Sequence, residues 1–88
     1  MSVQILEFEG NLDPEEFMDW MHTIERIFDY KEVPEERKVK LAALNLKKYA
    51  RLWWENTNQQ RRREGRDKIR TWSKMKRFMT KRYLLEHY

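Results

Sequence analysis

The segment "KLAALNLKKYARLWWE", residues 40–55, lies at the centre of the chain and decides how many helices it forms. Its apolar residues recur at three- and four-residue steps, which predicts amphipathic helices. We predict a second helix over residues 34–46, opened by Pro34, and a third over residues 47–64. Since no glycine or proline separates them, their continuity stays open. The apolar faces of these two helices are predicted to place five large side chains in the core: Leu41, Leu44, Tyr49, Trp53 and Trp54.

On the amino-terminal side, the sequence "NLDPEEF" predicts the start of the first helix. Asp13 can cap it, Pro14 suits the first helical position, and Glu16 stands where a capping box closes. Apolar residues then follow one helical face, so we predict a helix over residues 14–30. Its predicted core residues are Phe17, Trp20, Ile24 and Phe28.

Residues 1–12 are predicted to form an extended amino-terminal arm, because "VQILEF", residues 3–8, alternates between polar and apolar side chains. One strand alone leaves its backbone groups without partners. The arm therefore pairs with residues 66–70, pairs with another chain, or runs as an irregular segment.

On the carboxyl-terminal side, Gly65 is predicted to end the third helix, and Thr71 is predicted to cap a fourth helix over residues 72–84. The fold class is therefore all-α: a small bundle of four to five helices in one domain, residues 13–88, after the arm 1–12. The predicted core residues of the last helix are Trp72, Met75 and Phe78.

The charge of the chain is divided unevenly along the sequence. Residues 1–36 carry eleven acidic and two basic residues, a net charge of −9, whereas residues 37–88 carry four acidic and seventeen basic residues, a net charge of +13. Such asymmetry indicates association with an oppositely charged surface, which can belong to another copy of the chain. The alternative is that the two charge sets pair within one molecule, where exposed pairs stabilise little.

Several classes of function find no support in the composition. The absence of cysteine excludes disulfides, thiolate catalysis and cysteine-based zinc sites. His22 and His87, the two histidines, stand 65 positions apart, and two glycines in all leave no phosphate-binding loop. We therefore predict no enzyme, no metal and no cofactor. No apolar run approaches the ~18 residues of a membrane span, which favours a cytosolic or nuclear protein.

An ordered set of motifs resembles the capsid region of Gag proteins from long-terminal-repeat retrotransposons of the Ty3/Gypsy type. The set covers residues 8–88 and begins with Phe8, Gly10 and the Asp13-Pro14 pair. It continues with Phe17 and Trp20, the block from Lys40 to Glu55, Trp72, Phe78 and Tyr83. The chain departs from the family pattern at Lys48, where family sequences often have glycine, and this puts a sharp break between helices two and three in doubt.

The resemblance implies a helical domain like the amino-terminal lobe of a capsid protein, which self-assembles into virus-like particles that package RNA. The partner it implies is another copy of the chain, with a carboxy-terminal capsid lobe that this sequence does not contain. Particles of this kind would place the protein in the cytoplasm. Host proteins derived from such Gags form a second expectation, in which a domesticated lobe binds a short extended peptide at a site formed by residues 3–8 and a hydrophobic groove.

The charged end of helix three, Arg61 to Arg63, has three interpretations. It is a solvated helix end, a self-association contact, or an RNA contact that also includes Arg66. In the self-association hypothesis, these arginines meet the acidic start of helix one on a neighbouring copy, at Glu15, Glu16 and Asp19.

Overall fold

Four α-helices and a closing π-helical turn make up the described part of the computed structural model, residues 7–85. The helices are α1 (Pro14–Tyr30), α2 (Glu35–Leu44), α3 (Lys48–Arg63) and α4 (Trp72–Thr80). The π-helical turn (Lys81–Leu85) continues α4. The predicted all-α class is therefore confirmed, and no helix among these residues is long and apolar enough to cross a membrane.

Both ends of α1 are set by local hydrogen bonds. Asp13 Oδ1 accepts a hydrogen bond from the amide of Glu15 at 2.9 Å, and Pro14 occupies the first helical position. At the other end, the amide of Val33 donates to the carbonyl of Phe28 at 3.0 Å, across Glu32 in a left-handed conformation (φ 51°). This Schellman-type closure stops the helix at the predicted residue 30.

The core is built around a cluster of aromatic rings that joins both ends of the described chain. The ring of Phe8 lies 4.9 Å from that of Tyr83 and 5.5 Å from that of Trp20, measured between centroids. Phe17 and Trp53 also pack on Tyr83, at 5.6 and 5.5 Å. Edge-on and tilted ring pairs of this kind stabilise a small core beyond the area they bury.

Seven of the predicted core residues are buried: Phe17, Trp20, Ile24, Phe28, Trp54, Trp72 and Met75. Three others, Leu41, Trp53 and Phe78, are partly buried and pack against that core.

The prediction that Leu44 and Tyr49 are core residues is wrong, because their side chains are 69% and 76% exposed. Leu44 lies ~200° around α2 from the buried Ala42, so it faces away from the core. A core position for Tyr49 requires one continuous helical face through residues 46, 49, 50 and 53. The chain breaks between Leu44 and Lys48, and the break resets the helical phase. Ala50 then faces the core and Tyr49 turns ~100° away from it.

The break between α2 and α3 occurs at a left-handed lysine. Lys48 has φ 48°, the backbone region that glycine adopts without penalty. The sharp turn that the missing family glycine put in doubt is therefore present. It is supported by Asn45, whose Nδ2 donates to the carbonyl of Leu41 at 2.8 Å.

Residues 8 and 9 of the arm pair with this break, and among the described residues of the arm none pairs with residues 66–70. The amide of Phe8 donates to the carbonyl of Asn45 at 2.9 Å, and the amide of Lys47 donates to the carbonyl of Phe8 at 2.8 Å. The carbonyl of Glu9 accepts from the amide of Ala50 at 3.2 Å, so the arm caps α3, which has no side-chain cap of its own. The predicted alternation over residues 3–8 lies mostly outside the described residues.

Gly10 allows the arm to lie directly on α3. Its φ is 93°, and a β-carbon built there would stand 2.6 Å from the amide nitrogen of Ala50. Glycine is therefore required at this position for two reasons, the backbone conformation and the close approach.

Candidate functional site

Arg61 belongs to the interior of the molecule, not to its charged surface. It is 8% exposed, and its Nη2 donates to the carbonyl of Asp67 at 2.8 Å. Its guanidinium carbon lies 5.4 Å from the centre of the Phe78 ring, where cation–π attraction stabilises it. These contacts anchor the segment after α3 to α4. Burial of Arg61 argues against the predicted contact with RNA or a neighbouring subunit, which stays a prediction.

The other basic residues at this end remain on the surface. Gly65, in a left-handed conformation (φ 72°), ends α3 as predicted, and Arg62, Arg63 and Arg66 are exposed around it. Arg66 Nε lies 3.0 Å from Glu64 Oε1 in an exposed ion pair. Arg62 and Arg66 also border a shallow pocket of about 260 Å³, which Lys68 lines as well. The structure thus keeps three of the four predicted arginines available to a charged partner.

The predicted acidic residues divide between two sides of α1. Glu15 and Asp19 are exposed and share one face with Met18 and His22, at helical spacings of three, four and seven. We call these four residues the acidic α1 strip. Glu16 lies off this face and accepts a hydrogen bond from Asn11 Nδ2. Within residues 7–85, neither Glu15 nor Asp19 forms an ion pair.

Part of the charge asymmetry is neutralised by ion pairs within the molecule. Among the described residues, four ion pairs join the acidic and basic parts of the chain: Glu7 with Lys47 at 3.5 Å, Glu9 with Lys48 at 3.1 Å, Glu25 with Lys76 at 2.9 Å and, within α2, Glu35 with Lys38 at 3.3 Å. The first two hold the arm on the α2–α3 break. These pairs leave the acidic α1 strip and much of the later basic surface without an intramolecular counterpart among the described residues.

Glu25 connects α1 to α4. Its carboxylate accepts hydrogen bonds from Trp72 Nε1 at 3.0 Å and from Lys76 Nζ at 2.9 and 3.1 Å. Burial raises the pKa of Glu25, but the hydrogen bonds from Lys76 and Trp72 and the charge of Lys76 outweigh it. The net effect holds the pKa below its ordinary value, so the ionised form stabilises this contact.

Glu35 provides a second tie between helices, from α2 to the start of α4. Its Oε2 accepts a hydrogen bond from the Trp72 amide at 2.9 Å, and Thr71 Oγ1 accepts from the Lys74 amide at 3.4 Å. The hydrogen bond from the Trp72 amide lowers the pKa of Glu35, and Lys38 adds to the effect. One amide of the first turn of α4 is thus satisfied by an acid from another helix, and a second is satisfied by the helix's own cap, Thr71.

A groove between α2 and α3 is the surface that sequence reasoning missed. Its apolar floor consists of Ala43, Leu44, Leu46 and Trp54. Its rim carries Lys40, Lys47, Arg51 and Glu55, and the open space encloses about 640 Å³. We call these eight residues the α2–α3 groove. Leu44 lies ~140° around α2 from Val39 and ~200° from Ala42, the two buried residues of that helix, so the period of α2 by itself places Leu44 on the groove side.

The described residues offer no metal-binding cluster: in residues 7–85 no group of three or more His, Asp or Glu side chains lies close enough to hold an ion. The surfaces that stand out are therefore the acidic α1 strip, the α2–α3 groove and the exposed arginines after Gln60. They differ in charge and can contact other macromolecules.

Comparison with known families gives one match. The chain matches the family described as "Retrotransposon-derived protein PEG10, N-terminal capsid-like domain" over residues 2–84. Comparisons with curated proteins and with solved structures found no significant match. The matched region includes the arm, all four helices and most of the π-helical turn. The chain therefore belongs to this family of retrotransposon-derived, Gag-type capsid domains, a structural family with a role in assembly.

Proposed function

We propose that the chain is a self-assembly domain of a Gag-like capsid protein of Ty3/Gypsy descent, and that it supplies contacts between subunits of an RNA-packaging particle. The family match supports the capsid origin. The observation that carries the assembly role is the presence of two oppositely charged surfaces on one small domain. The acidic α1 strip has no ion-pair partner among the described residues, and the later part of the chain is strongly basic.

Opposite surfaces of this kind suit a head-to-tail contact between copies. In a heterologous contact, one face of a subunit meets a different face of the next, so rings and larger shells can grow. Charge complementarity guides the encounter and disfavours wrong registers. Such a particle forms in the cytoplasm, and a carboxy-terminal lobe would add further contacts.

Sedimentation velocity of the purified chain tests the assembly role. We expect the average mass to rise with protein concentration at low salt and to fall towards the monomer as salt screens the contact. A strictly monomeric chain at every concentration up to about 1 mM would contradict the proposal, because even a millimolar Kd populates complexes there.

RNA contact is the second part of the proposed function, and the exposed arginines favour it. Arg62, Arg63 and Arg66 surround the end of α3, and Lys68 lies beside them in the shallow pocket. We expect binding to single-stranded RNA that weakens steeply with salt, since phosphate contacts release counterions. Replacing all three arginines with serine should lower affinity and reduce the salt slope, whereas replacing Lys31, Arg37 and Lys81 instead should change both less.

The peptide-binding alternative finds less support in the structure. The backbone of Phe8 and Glu9 already pairs with the α2–α3 break, and the Phe8 ring fills the adjacent apolar space. At Phe8 the backbone is therefore already paired within the chain and cannot also pair with a peptide, while residues 3–6 of the predicted site lie outside the described residues.

A further inference from the structure

The α2–α3 groove combines an apolar floor with an excess of positive charge. Leu44 is 69% exposed there, so its apolar side chain is open to a partner. Three basic residues and one acidic residue line the rim, so the groove carries a net charge of +2. Because it is open to solvent along α2 and α3, a helix can approach it from outside.

Two of the three cations on the rim, Lys40 and Arg51, are available to a partner, whereas Lys47 pairs with Glu7 of the arm at 3.5 Å. Within residues 7–85, Lys40 forms no ion pair, and the pair between Arg51 and Glu55 at 3.2 Å is exposed on both sides. Exposed pairs of this kind contribute little free energy and exchange easily. An acidic surface that enters the groove can therefore form ion pairs with Lys40 and Arg51 without breaking a buried contact.

The acidic α1 strip has the complementary pattern. Met18 is 41% exposed and lies between Glu15 and Asp19 on the same helical face. With His22 neutral, the strip carries a net charge of −2. It thus offers one apolar side chain flanked by two carboxylates, where the groove offers one exposed leucine flanked by cations.

We propose that the acidic α1 strip of one copy docks into the α2–α3 groove of the next copy. Met18 then packs on Leu44, and Glu15 and Asp19 face Lys40 and Arg51. This inference rests on the proposed self-assembly and specifies its surfaces. It replaces the end of α3, where Arg61 is buried, with the groove as the basic side of the contact.

The contact is heterologous, so it leaves one strip and one groove free in every dimer, and growth can continue until a ring closes. A single helix in an open groove buries a small area, and the pairwise contact is therefore weak. In a closed ring or a shell, several such contacts act together, and their combined strength far exceeds that of one contact.

Charge reversal with complementation tests this pairing. The strip variant is Glu15→Lys/Asp19→Lys, and the groove variant is Lys40→Glu/Arg51→Glu. We expect each variant alone to associate at least about tenfold more weakly than the wild type in sedimentation velocity at low salt, because like charges then face each other. Mixing the two variants should restore association, since each then offers a surface that fits the other.

Controls separate this contact from a general effect of charge. The variant Arg62→Glu/Arg63→Glu makes the same change in net charge as the groove variant and should associate like the wild type. Leu44→Asp should weaken association while circular dichroism shows an unchanged fold, because Leu44 is exposed in the monomer.

The outcomes of these experiments distinguish failure of the proposed strip–groove contact from failure of self-assembly itself. If the wild type associates and the strip and groove variants associate equally well, the groove contact is overturned while self-assembly stands. Loss of association in the Arg62 and Arg63 control, or no recovery on mixing, also overturns the groove contact. If the wild type never associates, both proposals fail.

Discussion

Lys48 is one of two non-glycine residues, with Glu32, that adopt the left-handed conformation among the described residues. A non-glycine residue in the left-handed region costs about 1–2 kcal/mol, and the exposed pair of Lys48 with Glu9 returns little of that cost. Replacing Lys48 with glycine removes this strain energy, but glycine loses more conformational entropy on folding, which cancels part of the gain in stability. We expect Lys48→Gly to raise the free energy of unfolding by about 1 kcal/mol, measured by urea denaturation.

Lys48→Ala is the matched control for this prediction. It removes the same side chain but keeps the left-handed strain, so it should leave stability unchanged or slightly lower. Equal stabilisation by alanine and glycine would mean that the side chain, and not the backbone, carries the cost.

Two glycines allow the conformational and steric requirements to be separated. Gly10→Ala should lower the free energy of unfolding by about 2–4 kcal/mol, because φ is unfavourable and the new methyl group meets the Ala50 amide. Gly65→Ala should cost only about 1 kcal/mol, since its φ is also positive but nothing lies within 4 Å of the added carbon. Thermal denaturation of both variants measures the difference. Equal losses would show that the close approach at Gly10 is not a constraint.

Among the elements, α4 is held by two acids whose pKa values lie below their ordinary range, and this predicts a dependence on pH. A lowered pKa in the folded state means that Glu25 and Glu35 stabilise the fold above their unfolded-state pKa. That stability is lost as the pH falls through the folded-state pKa. We therefore expect the melting temperature to be level near neutral pH and to fall below about pH 4.5, the region in which glutamate titrates.

The variant Glu25→Gln tests the contribution of one acid. It keeps an acceptor for Trp72 but loses the charge that Lys76 requires, so we expect about 1 kcal/mol less stability at pH 7. The deficit should shrink as the pH falls, because the wild type then loses the same charge. A deficit that is constant with pH would assign the loss to packing. Glu36→Gln, on the exposed start of α2, is the control.

The elements also show what the sequence could predict. The bounds of α1 agree with the prediction because local signals mark both ends: Asp13 and Pro14 at the start, and a change of periodicity at the end. The break before α3 has no such signal, since it depends on a left-handed lysine and on the distant backbone of Phe8. The exposure of Tyr49 follows from that break, whereas the exposure of Leu44 follows from the period of α2, on which Leu44 lies opposite the buried Val39 and Ala42. Burial of Arg61 likewise depends on Phe78 and Asp67, which periodicity does not bring together.

For the molecule as a whole, Phe8 is the side chain that joins the arm to the helices. It contacts rings from α1 and from the π-helical turn. We expect Phe8→Ala to cost about 3–5 kcal/mol, a large share of the 5–15 kcal/mol typical of a folded domain. Urea denaturation should show a chain close to unfolding. Leu44→Ala, an exposed site on the groove, should change stability by less than about 0.5 kcal/mol.

The contact between Phe8 and Tyr83 also bears on when the domain can fold during synthesis. The two rings touch although they stand 75 positions apart in the chain. Contacts of such long sequence separation form late and slow the folding of a domain. While the chain is still emerging from the ribosome, α1 can form, but the aromatic cluster lacks its last ring until Tyr83 has left the exit tunnel. Nascent copies are thereby kept from completing a capsid-type lobe, and from assembling, before the whole domain has been translated.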